Sequence, residues 1–386
     1  MSQPTPVDEE YQYDPNRRRL AKPYRNTKLL AELVSGLVVQ VGFCLLFLAS
    51  GLSAWLWGYA ASLGFGSHVA VAFYVLVFLM LLMLVQMPVA WYDGYLVEHK
   101  FGLSHQKTWN WLQDYGKVFA LTLALSVPLT VGLYALIPVS PLWWLWASFI
   151  YAGLELVGST ILPLVVVPMF YKLRPYDNQA QRSHLLEMAR GAGARNIERV
   201  MLANESARSA KANAFFTGLG KTRTMVLFDN LVGGFTPKEV LTVVAHELAH
   251  YVNKDIWRES ALSAVLSVPE LYVANELLKW STGRFGISGP GDPTGFPLIL
   301  ATLAVVGFFL MPISNTVSRI VERQADEFAL RVAEEPEAQA STERRLADMN
   351  LSDDKPHWLV ELFFYTHPPA SKRVKLAEDW KRTQNR

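Results

Sequence analysis

Residues 240–252 have the sequence VLTVVAHELAHYV, and the apolar residues of this run recur at helical spacing. His246 and His250 are four residues apart, so both imidazoles lie on one face of the predicted helix. Two imidazoles at that spacing can bind one Zn²⁺ ion. Glu247 then lies beside the open position of the metal, where a carboxylate can take a proton from water. A surface helix with two unrelated histidines is the alternative interpretation.

The composition favours a membrane protein. Hydrophobic residues make up 51% of the 386 residues, and charged residues only 18%. The formal net charge is +2, so no overall positive field attracts nucleic acid, and we expect no nucleic-acid partner. Cys44 is the single cysteine and lies in an apolar run, which excludes an intrachain disulfide and disfavours a thiolate metal site.

Six segments are long and apolar enough to cross a lipid bilayer as helices, which takes about 20 residues. They are approximately Leu33–Trp57, Val69–Trp91, Val118–Ile137, Leu142–Phe170, Ser260–Trp280 and Gly295–Val317. Buried core helices of a soluble protein are the alternative, but most of these segments are too long and too free of charge for it. The sequence therefore predicts a mostly α-helical, multi-pass membrane protein.

Lysine and arginine are concentrated on one side of these predicted helices. Five basic residues lie between positions 17 and 25, and three lie in the connection 92–117. The opposite connections, 58–68 and 138–141, contain none, and the third, 281–294, contains only Arg284. Because basic loops stay in the cytoplasm, we expect both termini and the HELAH helix to face it.

The same features divide the chain into five predicted parts. These are a basic cytoplasmic N-terminal segment (1–32), four membrane helices with a cytoplasmic loop at 92–117 (33–171), a polar cytoplasmic domain with the HELAH helix (172–257), two further membrane helices (258–318) and a cytoplasmic C-terminal part (319–386). Within the last part, the polar residues 334–355 are expected to form a solvated excursion.

The polar domain has the sequence pattern of an α+β unit. A helix is predicted over Ala180–Gly191, strands over Arg199–Ala203 and Arg223–Phe228, and a third possible strand within Ser209–Gly220. A Thr-Pro-Lys-Glu run at 236–239 has the residue types of a helix start and precedes the HELAH helix. A strand beside that helix could bind an extended substrate peptide at its free edge.

A catalytic zinc site normally has three protein ligands, and HELAH provides two of them. The best candidate for the third is Glu322, in the run SRIVERQADEFA at 318–329. Asp326 is on the same helical face and could hold the second nitrogen of a histidine, and Arg319 could bind either carboxylate. A solvated Glu/Arg face of a helix is the alternative.

Five blocks of the sequence together resemble those of the CAAX prenyl protease type I family, in the same order. They are WYDGYLVEHKFGLSHQKT (91–108), NAFFTGLG (213–220), HELAH (246–250), SRIVERQAD (318–326) and THPPASKR (366–373). This family consists of integral-membrane zinc endopeptidases. The resemblance implies a ring of about six transmembrane helices around a water-filled chamber, with a zincin-like α+β metalloprotease domain at its cytoplasmic end.

The resemblance also implies roles for individual residues. His246, His250 and Glu322 match the zinc ligands, and Glu247 matches the catalytic base. Asn213, with its neighbours Ala214 and Phe215, matches the residues that seat the substrate strand. His367 matches a donor to the developing oxyanion, and Arg373 matches a residue beside the active site. Asp326 matches the acid that holds a metal-binding histidine. The implied partners are a peptide or protein substrate, prenylated in the eukaryotic family, and the lipid bilayer.

The chain departs from that family in its number of helices. Eukaryotic members have seven spanning helices and this sequence predicts six, which favours a prokaryotic-type relative in a bacterial or archaeal cell membrane rather than in the endoplasmic reticulum. An HtpX-like quality-control protease of membrane proteins, with no need for a prenyl group, is the alternative function. The intact HExxH motif and Glu322 argue against a non-catalytic scaffold.

Overall fold

A long, interrupted helix opens the first membrane segment. The computed structural model describes residues 10–218 and 223–384, and in it α1 (Pro15–Leu33) continues through a π-helical stretch (Val34–Gln40) into α2 (Val41–Ala49). The prediction of one helix over Leu33–Trp57 is wrong at both ends. Gly51 has a φ of 79°, a left-handed conformation that suits glycine, and it turns the chain into a separate short helix, α3 (Leu52–Ser62).

Three more helices complete the first membrane half. They are α4 (Ser67–Trp91), which runs through a π-helical stretch (Tyr92–Val97) into α5 (Glu98–Lys100), α6 (Thr108–Leu136) and α7 (Trp143–Phe170). The predicted loop at 92–117 is therefore helical at both ends. The connection between these helices is the short stretch 101–107.

A small sheet and several helices follow α7. In chain order they are β1 (Leu173–Pro175), α8 (Gln179–Gly191), β2 (Arg199–Ala203), β3 (Ala214–Thr217), β4 (Thr224–Phe228), α9 (Asp229–Gly234) and α10 (Pro237–Asn253). The predicted helix and the strands at 199–203 and 223–228 are confirmed, whereas β1 was not predicted. Of the third predicted strand, residues 219–220 lie outside the described residues.

The strand order is β1-β2-β4-β3, with β2 parallel to β4 and β3 antiparallel to it. β3 therefore forms one edge of the sheet, and α10 packs beside it. A capping box begins α10, because the Thr236 hydroxyl accepts from the Glu239 backbone N–H while the Glu239 carboxylate accepts from the Thr236 N–H. The helix ends at Asn253, and Lys254 directly after it is left-handed with a φ of 55°.

The remaining helices are α11 (Asp255–Ser281), α12 (Phe296–Ala333), α13 (Pro336–Met349), α14 (Trp358–Phe364) and α15 (Ala370–Gln384). Of the described helices, six are long and apolar enough to span a membrane, as predicted. A cavity of about 810 Å³ lies among α6, α7, α11 and α12. Its lining is mostly apolar, and the expected water-filled chamber stays a prediction.

The prediction of a solvated excursion at 334–355 is wrong. α13 is buried along most of its length, although its composition is polar. Its polar side chains are paired inside the protein: Ser341 and Arg345 both bind the fully buried carboxylate of Glu239 on α10. Hydrogen-bonded partners make the burial of such groups tolerable, and hydropathy alone does not reveal them.

Candidate metal centre

The two HELAH histidines and Glu322 meet at the contact between α10 and α12. Nε2 of His246 lies 3.3 Å from Nε2 of His250 and 3.1 Å from Oε2 of Glu322. Nε2 of His250 lies 3.7 Å from Oε1 of Glu322. All three potential ligand atoms lie within 4.8 Å of one another, so residues from two distant parts of the sequence form one cluster.

These distances fit a tetrahedral metal ion. Ligand atoms about 2.0 Å from a tetrahedral centre lie about 3.3 Å from each other, close to the spacings of His246, His250 and Glu322. Oε2 of Glu322 is also buried without a hydrogen-bond donor among the described residues. Two imidazole lone pairs and a carboxylate oxygen facing one another are suited to a cation, and two nitrogens with one oxygen are a zinc-type donor set.

Each histidine is oriented by a carboxylate behind it. Nδ1 of His246 lies 2.9 Å from Oδ1 of Asp326, as the sequence predicts. Nδ1 of His250 lies 3.0 Å from Oδ2 of Asp255, a residue that sequence analysis missed. Because Nδ1 donates to the carboxylate, Nε2 keeps its lone pair for a metal. No sequence pattern marks Asp255 as the partner of His250, because the contact depends on the turn at the left-handed Lys254.

Arg373 lies behind this arrangement, within a buried ion cluster. Its Nε donates to Oδ2 of Asp326 at 2.8 Å, and its Nη1 lies 2.8 Å from Oε2 of Glu343 on α13. Burial lowers the pKa of Arg373, but both carboxylates outweigh that effect and raise it. Burial raises the pKa of Glu343, and Arg373 opposes that rise. Arg373 therefore fixes Asp326 and, through it, the ring of His246.

The electrostatics of the centre favour a bound cation. Burial lowers the pKa of His246, but the negative charges of Asp326 and Glu322 outweigh it and raise the pKa, so this position stabilises positive charge. The pKa of Glu247 is raised mainly by burial, and the neighbouring histidines oppose the rise. A carboxylate whose pKa is raised towards neutrality is better suited to receive a proton and pass it on.

A cavity of about 770 Å³ opens onto the cluster and gives a substrate access to it. His246, Glu247 and Asn213 line it together with His367. Nε2 of His367 lies 3.2 Å from Oε1 of Glu322, and Nδ1 lies 2.9 Å from the Thr366 hydroxyl. The side chain of His367 is 55% exposed at the cavity, and its pKa is lowered, mainly by desolvation.

Arg319 does not bind either carboxylate of α12, and that expectation is wrong. Its Nη1 donates to the backbone carbonyl oxygens of Glu361 at 2.8 Å and Tyr365 at 2.7 Å, and its Nη2 donates to the Thr316 hydroxyl. The guanidinium points away from the metal cluster, towards the end of α14. Arg319 therefore orders the segment that leads to His367.

The predicted substrate residues lie at the sheet edge beside the cluster. The carbonyl of Asn213 accepts from the N–H of Phe228, and its side-chain oxygen accepts from the N–H of Ala214 at 2.8 Å. Because groups alternate along an antiparallel strand, the backbone groups of Phe215 face β4. Those of Ala214 and Phe216 face the open edge, to which no strand of the described residues is paired.

Six membrane helices, a zinc-type cluster on an HExxH helix and an adjacent open strand define a membrane-embedded metallopeptidase. Comparisons with known proteins agree. The model of peptidase family M48 matches residues 175–381. The model described as CAAX prenyl protease N-terminal, five membrane helices, matches residues 2–172. The chain belongs to peptidase family M48. Within 2–172, the described residues contain four candidate membrane spans.

Individual relatives place the chain among proteases of the CAAX type. It is 30% identical to the uncharacterized metalloprotease YhfN of Bacillus subtilis, over 79% of this chain and 72% of that protein. It is 26% identical to CAAX prenyl protease 1 of Saccharomyces cerevisiae, over 75% and 68% of the two chains. The crystal structure of S. mikatae Ste24p has the same fold, with a TM-score of 0.79, 21% identity and coverage of 97% and 91%.

Proposed function

We propose that this M48 protease is a zinc endopeptidase in which His246, His250 and Glu322 hold the metal. The observation that carries this proposal is the convergence of their three ligand atoms at tetrahedral spacings, with the Nδ1 atoms of both histidines bound to carboxylates. When bound there, Zn²⁺ polarises the scissile carbonyl and lowers the pKa of a water molecule. Asp255 and Asp326 keep both imidazoles in the tautomer that binds metal.

Glu247 is the proposed general base and acid. It lines the cavity beside both histidines, where it takes a proton from the attacking water and later delivers it to the leaving amine. His367 is the proposed donor to the oxyanion that develops on the scissile carbonyl, because it lines the cavity and lies next to Glu322. Asp326 and Arg373 act through His246, so they are positioning residues.

The substrate is proposed to bind as an extra strand on β3. The outward backbone groups of Ala214 and Phe216 can pair with an extended peptide and hold its scissile bond in the cavity. The side chain of Asn213, which now accepts from the Ala214 N–H, then turns to a substrate backbone group. In this arrangement the protein binds the main chain of the substrate, and the side chains of the cavity wall determine any sequence preference.

The proposed substrate class is a prenylated protein with a C-terminal CAAX sequence, from which the last residues are removed. Support comes from the CAAX relatives and from the cavity among the membrane helices, whose lining includes Leu129, Leu133 and Leu310, apolar side chains suited to an isoprenoid. The active site is proposed to face the cytoplasm, because the basic residues lie on its side of the helices. The Bacillus subtilis relative supports a prokaryotic cell membrane.

One comparison tests this substrate class. A fluorescent peptide with a C-terminal CAAX sequence is offered to the purified protein with and without a farnesyl group on its cysteine. Cleavage of the farnesylated peptide alone is expected. Equal cleavage of both peptides would contradict the prenyl requirement and favour a quality-control protease of the HtpX type. The Glu247→Gln variant is the control for contaminating proteases.

A further inference from the structure

Helix α14, near the metal cluster, is apolar on nearly every side. Its sequence, WLVELFF, contains one charged residue, Glu361, whose carboxylate lies 2.5 Å from the ammonium group of Lys372. Trp358 and Leu359 are 64% and 43% exposed. Exposed apolar side chains on one short helix are unfavourable in water and are typical of a surface that contacts another apolar phase.

The contacts of α14 with α12 indicate the depth of α14 relative to the bilayer. Asn315 donates to the carbonyl of Phe363, and Arg319 donates to that of Glu361. At 1.5 Å per residue, Asn315 and Arg319 lie about 28 and 35 Å from the start of α12. A hydrocarbon core is about 30 Å thick, so, taking the start of α12 as the opposite boundary, these contacts place α14 at the boundary on the side of the metal cluster.

The end of α14 reaches further into the apolar layer. The ring of Phe363 stacks on that of Phe308 with 5.4 Å between centroids, and Phe308 lies about 18 Å along α12. Nearby on α12, Phe309 and Ile313 are 69% and 50% exposed. The exposed apolar side chains of α14 therefore lie beside those of α12, a membrane-spanning helix.

This exposed surface differs from the wall of the cavity among the membrane helices. Leu310, Met311 and Ser314 line that cavity on one face of α12. At 100° per residue, Phe309 and Ile313 point roughly 130° away from the centre of that face. Residues of α14 do not line this cavity, and of α14 only Phe364 lines the cavity at the metal cluster. Trp358 and Leu359 line neither cavity, so they continue the outer surface.

We propose that α14 is an interfacial helix whose Trp358 and Leu359 contact lipid at the boundary between acyl chains and headgroups. Tryptophan is enriched at that level, and the exposed Lys355 just before α14 can reach the headgroups. α14 ends three residues before His367. The lipid surface therefore holds the segment that carries this imidazole beside the metal cluster.

The test uses the full-length protein in phosphatidylcholine vesicles, with an environment-sensitive dye on a cysteine introduced as Trp358→Cys. The native Cys44 is buried and does not compete for the dye. Quenching by doxyl-labelled phosphatidylcholine is compared with quenching by aqueous iodide. Phe309→Cys is the membrane reference, and Arg382→Cys, in the exposed part of α15, is the aqueous reference.

The proposal predicts that doxyl lipid quenches the dye at position 358 about as strongly as at 309, and several-fold more strongly than at 382. Iodide quenching is expected only at position 382. Iodide quenching at 358 without lipid quenching would show that α14 faces water, and no quenching by either would show that protein covers it; both overturn the proposal. Leu359→Cys provides the same measurement if Trp358→Cys disturbs folding.

Discussion

Each histidine of the HELAH helix is held by its own carboxylate, and the two carboxylates come from different helices. Asp326 lies on α12, whereas Asp255 begins α11, immediately after α10. These carboxylates hold both rings in one orientation, which lowers the entropic cost of forming a metal site. Glu247 has no such partner among the hydrogen bonds of the described residues and is left to face the cavity.

Glu247→Gln separates proton transfer from metal binding. The amide keeps the shape of the side chain but cannot accept the proton of water, so we expect the turnover number to fall by about 10²- to 10⁴-fold. Metal content by elemental analysis is expected to stay at the wild-type value. Wild-type turnover in this variant would show that another group is the base.

Asp255→Asn tests the residue that the sequence did not indicate. The amide can no longer fix the proton on Nδ1 of His250 as the carboxylate does, so metal affinity is expected to fall by about 10- to 100-fold. A competition titration with a chelator measures this affinity. The matched control is Asp379→Asn on the exposed face of α15, for which no change is expected. An affinity equal to that of the control would remove Asp255 from the site.

Local spacing in the sequence was sufficient to predict some residues of the site, and the partners of others were missed. HExxH spacing identified His246 and His250, because an α-helix brings residues four apart together regardless of the rest of the fold. The partner of Arg373 on α13, Glu343, was not predicted, since its contact joins two helices that only tertiary packing brings together. Arg319 was assigned to the wrong partner because backbone carbonyls carry no sequence signature.

Among the elements, β3 has the largest consequence for substrate binding. It is a short edge strand next to α10, and no strand of the described residues pairs with its outward backbone groups. The two central strands β2 and β4 were predicted from their apolar residues, whereas the three-residue β1 is too short to give a pattern. The edge position of β3 depends on the strand order, which no local pattern reveals.

Phe216→Pro tests strand addition. The N–H of Phe216 faces the open edge, so proline removes a donor to the substrate without breaking the bonds to β4. One hydrogen bond contributes about 0.5–1.5 kcal/mol, so KM for the peptide is expected to rise about 2- to 12-fold with metal content unchanged. Phe216→Ala controls for loss of the ring. Equal KM values for the two variants would contradict main-chain pairing at this residue.

In the whole molecule, the N-terminal segment joins the membrane helices to the metal centre. Tyr11 and Arg18 both donate to the carboxylate of Asp348 on α13, which is 1% exposed. α13 in turn supplies Glu343, which binds Arg373 behind the metal ligands. The basic charges that predicted the orientation of the chain therefore also have structural partners, which a count of charges does not show.

The orientation of the whole molecule is tested by labelling cysteines from one side of the membrane. Val139→Cys lies in a connection without lysine or arginine and is 77% exposed, so a membrane-impermeant maleimide is expected to label it in intact cells. Arg382→Cys is expected to react only after the cells are opened. The reverse pattern would place the metal centre outside the cytoplasm.

The most direct measurement is the zinc content and peptide hydrolysis of the purified protein before chelation, after chelation and after return of Zn²⁺, alongside Glu322→Ala. We expect one zinc ion per wild-type chain, loss of hydrolysis with the metal, and recovery of both when Zn²⁺ is returned. Glu322→Ala is expected to lack both. Hydrolysis by fully metal-free protein, or a normal zinc content in Glu322→Ala, would contradict a catalytic site built from His246, His250 and Glu322.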